Sequence, residues 1–76
     1  MSYIVIWDNQ PMPKILNYPE DKPYPAGNVT LYRKFSEAKI AVLRELRLRL
    51  RPIEIYIERM LKLQAENIKD YEFGPE

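Results

Sequence analysis

The chain has 76 residues, no cysteine, no histidine and a formal net charge of +1. A chain of that length is one small domain, whose core buries only roughly 60 % of the surface its unfolded form exposes. Without cysteine there are no disulfides or thiolate metal sites, and without histidine the commonest transition-metal ligand and acid–base catalyst are gone. Oligomerisation is then the expected supplement to a marginal core, with a cytoplasmic setting and no cofactor.

Charge is unevenly spread along the chain. Residues 1–32 carry −1, residues 33–51 carry +5 through seven Lys and Arg against two Glu, and residues 52–76 carry −3. A basic middle and an acidic end attract one another within a chain or between chains, and the basic middle also suits an anionic partner.

The chain opens on "SYIVIWD", apolar on both faces and rich in β-branched and aromatic residues, which predicts a strand covered on both sides. Five apolar residues are too few for a signal-peptide core, and nothing in the chain is long and apolar enough for a membrane span, so no membrane association is expected. "NQPMP" is a turn by virtue of its prolines. "KILNY" is a second strand, antiparallel to the first. "PEDKPYPAGN" within residues 19–28 is an irregular, proline-stiffened loop without a PxxP spacing. "NVTLYRKF" is the third strand, placing Val29, Leu31, Arg33 and Phe35 on one face and Thr30, Tyr32 and Lys34 on the other.

A helix is predicted to start at Ser36. Serine is a favoured N-cap, Glu37 suits the first turn, and Phe35 and Ile40 have the spacing of a hydrophobic staple. The next stretch, "ELRLRLRPIEIYIE", reads either as two strands or as a helix. A tight hairpin needs positive φ, which glycine, asparagine or aspartate supply and which proline cannot adopt. As a helix, Leu43, Leu46, Leu50, Ile53, Ile57 and Met60 recur at spacings of 3 and 4, a heptad seam. Glu45–Arg49 and Glu58–Lys62 add i,i+4 pairs. Pro52 removes one backbone donor and pushes Arg51 away from helical angles, so a kink or break is expected near residues 48–52. The expected fold is therefore α+β. A small antiparallel sheet of two or three strands (residues 1–35) is followed by a long helix over residues 36–70, kinked or broken near Pro52, and a tail (71–76).

A straight helix of that length is ~50 Å long, against a radius of gyration of about 11 Å for a compact chain of this size. Either it folds back at Pro52 or it packs against another copy. Leu48 and Ile55 fall opposite the seam, with Val42, Tyr56 and Leu63 alongside it. A helix apolar on more than one side is buried on more than one side. The seam residues are thus the candidate oligomer interface. Arg44, Arg47, Arg51, Glu54 and Glu58 form a flanking stripe whose signs favour an antiparallel dimer or higher assembly.

Catalytic chemistry finds little footing. The only serines are Ser2, at a terminus, and Ser36, assigned to the cap. Glu54 and Glu58 are solvated helix residues, and two glycines cannot build a phosphate loop. A non-enzymatic protein–protein interaction module is expected, self-associating through its C-terminal helix. The proline-rich loop or exposed aromatics would meet an unidentified protein partner. A very short chain with a small sheet feeding a long charged helix has the general character of accessory or inhibitor proteins of phages and mobile elements. The alternative is binding of nucleic acid or a small anionic ligand such as a nucleotide on Arg33, Lys34, Arg44, Arg47 and Arg51.

Overall fold

The computed structural model describes residues 2–49 and 53–72. Three strands, β1 (Ser2–Ile6), β2 (Lys14–Tyr18) and β3 (Val29–Tyr32), form one antiparallel sheet in the order β2-β1-β3. Two helices follow, α1 (Phe35–Leu48) and α2 (Glu54–Lys62), then a single 3-10 turn over Ala65–Asn67. The α+β class and the three antiparallel strands match the sequence expectation; the single long helix does not.

β1 is central, and its continuous apolar run reflects burial from both sides: Ile4 and Val5 are each fully buried. Alternation along the strands sorts the side chains. Tyr3, Val5, Trp7, Ile15 and Tyr32 join Ala38, Val42, Leu43, Leu46 and Met60 in the core beneath the helices. Ile4, Leu16 and Tyr18 form a second cluster on the back face with Ile6, Val29, Leu31 and Tyr71. The proline-rich loop is irregular, as its composition predicts, and it is tied to the sheet. The Tyr18 hydroxyl donates to the Pro23 carbonyl at 2.7 Å, and the Tyr24 hydroxyl donates to the Val29 carbonyl at 3.2 Å. Gly27 stands in the loop at φ 104°, a conformation that L side chains rarely adopt.

Phe35 departs from its expected place on β3. The strand ends at Tyr32, Lys34 is the N-cap of α1, and Phe35 turns into the helix-side core 5.7 Å from the Tyr3 ring. Ser36 is therefore inside the first turn, not the cap, and no side chain caps this end. The staple fails for the same reason: shifting the start by two residues leaves Ile40 57 % exposed. Burying Phe35 against Tyr3 outweighs a cap hydrogen bond worth roughly 1 kcal/mol.

The helical half is broken, not continuous over residues 36–70. α1 ends at Leu48, with Arg49 extended at ψ 146°, and Ile53 is again extended before α2 begins. Of the expected break at residues 48–52, Leu50, Arg51 and Pro52 lie outside the described residues; the two helix ends bracket the proline whose ring and missing donor oppose a continuous helix. α2 then runs back along α1. Lys39, near the start of α1, donates to the carbonyls of Leu61 (2.7 Å) and Leu63 (2.9 Å) at the end of α2. Cationic donors at a helix C-terminus satisfy its orphan carbonyls and meet the negative end of its dipole.

Beyond Lys62 the chain leaves the helix and crosses to the outer edge of β2. Asn17 holds it there. Its backbone amide donates to Lys69 O at 2.8 Å and its carbonyl accepts from the Tyr71 amide at 2.9 Å. Its side-chain amide donates to Ile68 O and Asp70 Oδ1. This parallel bridge covers part of a sheet edge that would otherwise stay open. The radius of gyration is 12.5 Å, so folding back, not overhang, accommodates the second helix.

Candidate functional site

The two helices lie on the same side of the sheet, and each keeps apolar residues on the side away from the core. In α1, Ala38, Val42 and Leu46 recur every fourth residue and are buried. Ile40, Arg44 and Leu48 recur at the same spacing on the opposite side and are exposed, Leu48 by 74 %. Together with Leu43 and Arg47, these three line a shallow groove of about 290 Å³. In α2, Met60 is buried and Tyr56 and Ile57 pack against the same core. Ile55 is half exposed on the other side, and Ile53 and Leu61 are half exposed on the flank. Glu54 occupies the first turn of α2 and Glu58 the second; Glu58 accepts from Lys62 at 2.9 Å. Leu48 and Ile55, placed opposite the seam by their spacing, are both exposed.

The predicted interface residues separate. Leu43, Leu46 and Met60 are buried inside the single chain, Leu46 to 1 % exposure, and Ile57 packs on that core. Ile53 is half exposed and Leu50 lies outside the described residues. Three of the seam positions thus serve the chain's own core. The reason is the fold-back: once α2 reverses along α1, the seam residues of the two helices meet within one chain over the sheet. Sequence spacing identified the buried stripe but could not say which surface buries it. The outer-face residues Ile40, Arg44, Arg47, Leu48 and Ile55 form the open apolar and charged surface instead.

The predicted anion site is also dispersed. Arg44 and Arg47 flank the α1 groove. Arg33 lines a hollow of about 510 Å³ at the end of the sheet with Tyr18, Pro19, Lys22 and Leu31. Lys34 is the exposed N-cap of α1, and Arg51 lies outside the described residues. Lys39, their neighbour in sequence, is engaged by the end of α2 and sits 5.9 Å from the Phe35 ring centroid. The expected Glu45–Arg49 pair is replaced: α1 stops before Arg49, whose Nη1 donates instead to Pro11 O at 3.4 Å.

Sequence reasoning also passed over a concavity beside Trp7. Trp7, Pro13, Asn28, Glu45 and Arg49 line a hollow of about 340 Å³. The Trp7 indole N–H donates to Thr30 Oγ1 at 3.0 Å, and Asn28 Nδ2 donates to Asp8 Oδ1 at 3.1 Å, so the indole and the Asn28 amide are already engaged. These residues come from turns and loops and from α1, far apart in the chain, so no spacing in the sequence marks the hollow. Among the described residues no cluster of three or more acidic side chains could hold a metal ion, and no helix is long and apolar enough to cross a membrane. Set against protein-family models, curated proteins and solved structures, the chain matches none of them.

Proposed function

We propose that this protein is a non-enzymatic interaction module that self-associates through the outer face of its helical layer. The observation that carries this is the exposure of Ile40, Leu48 and Ile55 on the sides of α1 and α2 that face away from the core. Isolated apolar side chains on a surface need no explanation, but here Ile40 and Leu48 recur at helical spacing along a groove bordered by Arg44 and Arg47, and Ile55 is exposed on the neighbouring helix. Small domains with marginal cores gain most from such contacts.

Light scattering coupled to size exclusion tests this directly. A dimer or larger species is expected, and Leu48→Asp with Ile40→Asp should give a folded monomer, because both side chains are already exposed and contribute little to the fold. A wild-type chain that stays monomeric at millimolar concentration would overturn the proposal. Capture of a different protein on the same face, an accessory or inhibitory role among them, extends this reading; it requires a host extract and a partner whose binding the same two substitutions abolish.

A further inference from the structure

We infer that the self-association is reciprocal, with the outer face of α1 in one copy seated on the outer face of α2 in the other. This rests on the self-association proposed above and adds which faces meet. The first ground is charge. Arg44 and Arg47 lie in the C-terminal half of α1, beside exposed Leu48. Glu54 and Glu58 lie in the N-terminal half of α2, around half-exposed Ile55. The second half of α1 is therefore basic around Leu48 and the first turns of α2 are acidic around Ile55, with Arg59 and Lys62 following in the last turn of α2.

The second ground is direction. The Lys39 bonds to Leu61 and Leu63 place the start of α1 beside the end of α2, so the two helices are antiparallel. The C-terminal half of α1 and the N-terminal half of α2 then share one end of the layer. A two-fold axis running along the helices and lying in the interface carries α1 of one copy onto α2 of its partner at the same height. That operation sets Arg44 and Arg47 against the partner's Glu54 and Glu58, and Leu48 against the partner's Ile55, twice over. An isologous contact must be self-complementary in this way. The alternative two-fold, which lays α1 on α1, instead brings the arginines to the other copy's Ile40 and Lys39 end, away from the acidic first turns of α2. Complementary potential across an interface steers encounter and rejects like-charged arrangements.

Two charge-swapped chains test the pairing. One carries Arg44→Glu with Arg47→Glu, the other Glu54→Lys with Glu58→Lys. Alone, each faces like charge at both contacts and should dimerise more weakly by on the order of a hundredfold. Mixed, they restore opposite charge at both contacts, and the mixture should recover a heterodimer of wild-type size. Because Glu58 also pairs with Lys62 in its own helix, the second chain could lose α2, so a measurement independent of charge is needed. The chain has no cysteine, and Leu48→Cys and Ile55→Cys chains mixed under oxidation should form the mixed disulfide in preference to either self-pair. If wild type is a dimer but both swapped chains dimerise unchanged and the self-paired disulfides dominate, the reciprocal pairing is wrong while self-association stands. If wild type is monomeric, both fall together.

Discussion

Replacing Lys39 by methionine should loosen α2 without disturbing the sheet. The ammonium is the only cation described at the end of α2 that comes from another element, and it donates to two carbonyls, Leu61 O at 2.7 Å and Leu63 O at 2.9 Å. Hydrogen bonds from a charged group net roughly 1.5–3 kcal/mol each. Here one of the two is exposed and both share one ammonium, so solvent screening lowers the expected total to about 1–3 kcal/mol. Methionine keeps most of the apolar stem, so the loss reports on the ammonium, through its two carbonyl bonds and its 5.9 Å approach to the Phe35 ring, and not on a cavity. Since every 1.4 kcal/mol is tenfold in an equilibrium, the amides of α2 should exchange with deuterium roughly 5- to 150-fold faster. The amides of β1, which open only on global unfolding, should change no more than the shift in denaturation midpoint requires. Lys39→Arg, which keeps the charge, should recover part of the protection. Unchanged exchange in α2 together with an unchanged midpoint would refute the claim that Lys39 secures the fold-back.

Three further outcomes are expected. Leu46→Ala, at a side chain 1 % exposed, should cost about 2–5 kcal/mol of a total that at ~0.05–0.15 kcal/mol per residue is only about 4–11 kcal/mol; thermal unfolding by circular dichroism should lose much of its cooperative transition at 37 °C, and a fall in Tm of under about 5 °C would show the site is not in the core. Gly27→Ala meets no atom within 4 Å, so its cost should be that of the backbone at φ 104° alone, roughly 1–2 kcal/mol, measured as a shift in the urea midpoint with unchanged slope. Heparin should retain the protein weakly, because the basic residues are split between the α1 groove and the opposite end of the sheet. Tight retention with a steep salt dependence, lost on Arg44→Ala with Arg47→Ala, would move the assignment to anion binding.

The chain's local chemistry determined the elements and much of their burial. β-branched and aromatic residues in "SYIVI" specified a strand buried on both faces, and the absence of turn residues near Arg51-Pro52 ruled out a hairpin of strands. The heptad spacing grouped Leu43, Leu46 and Met60 on one face and put Leu48 and Ile55 on the opposite one, without saying which of the two faces the chain's own sheet covers. These are properties of residues and their neighbours within a few positions, where sterics and periodicity act. What tertiary structure decided was which surfaces meet. The start of α1 moved because Phe35 gains more against Tyr3 than Ser36 gains as a cap. α2 ended after Lys62 although good helix formers follow, because Lys39 takes its last carbonyls and Asn17, some fifty residues earlier, captures residues 68–71 at the edge of β2. Lys39 and Asn17 look like ordinary polar residues in the sequence. Their roles depend on contacts across many positions, and such contacts exist only once the chain has doubled back.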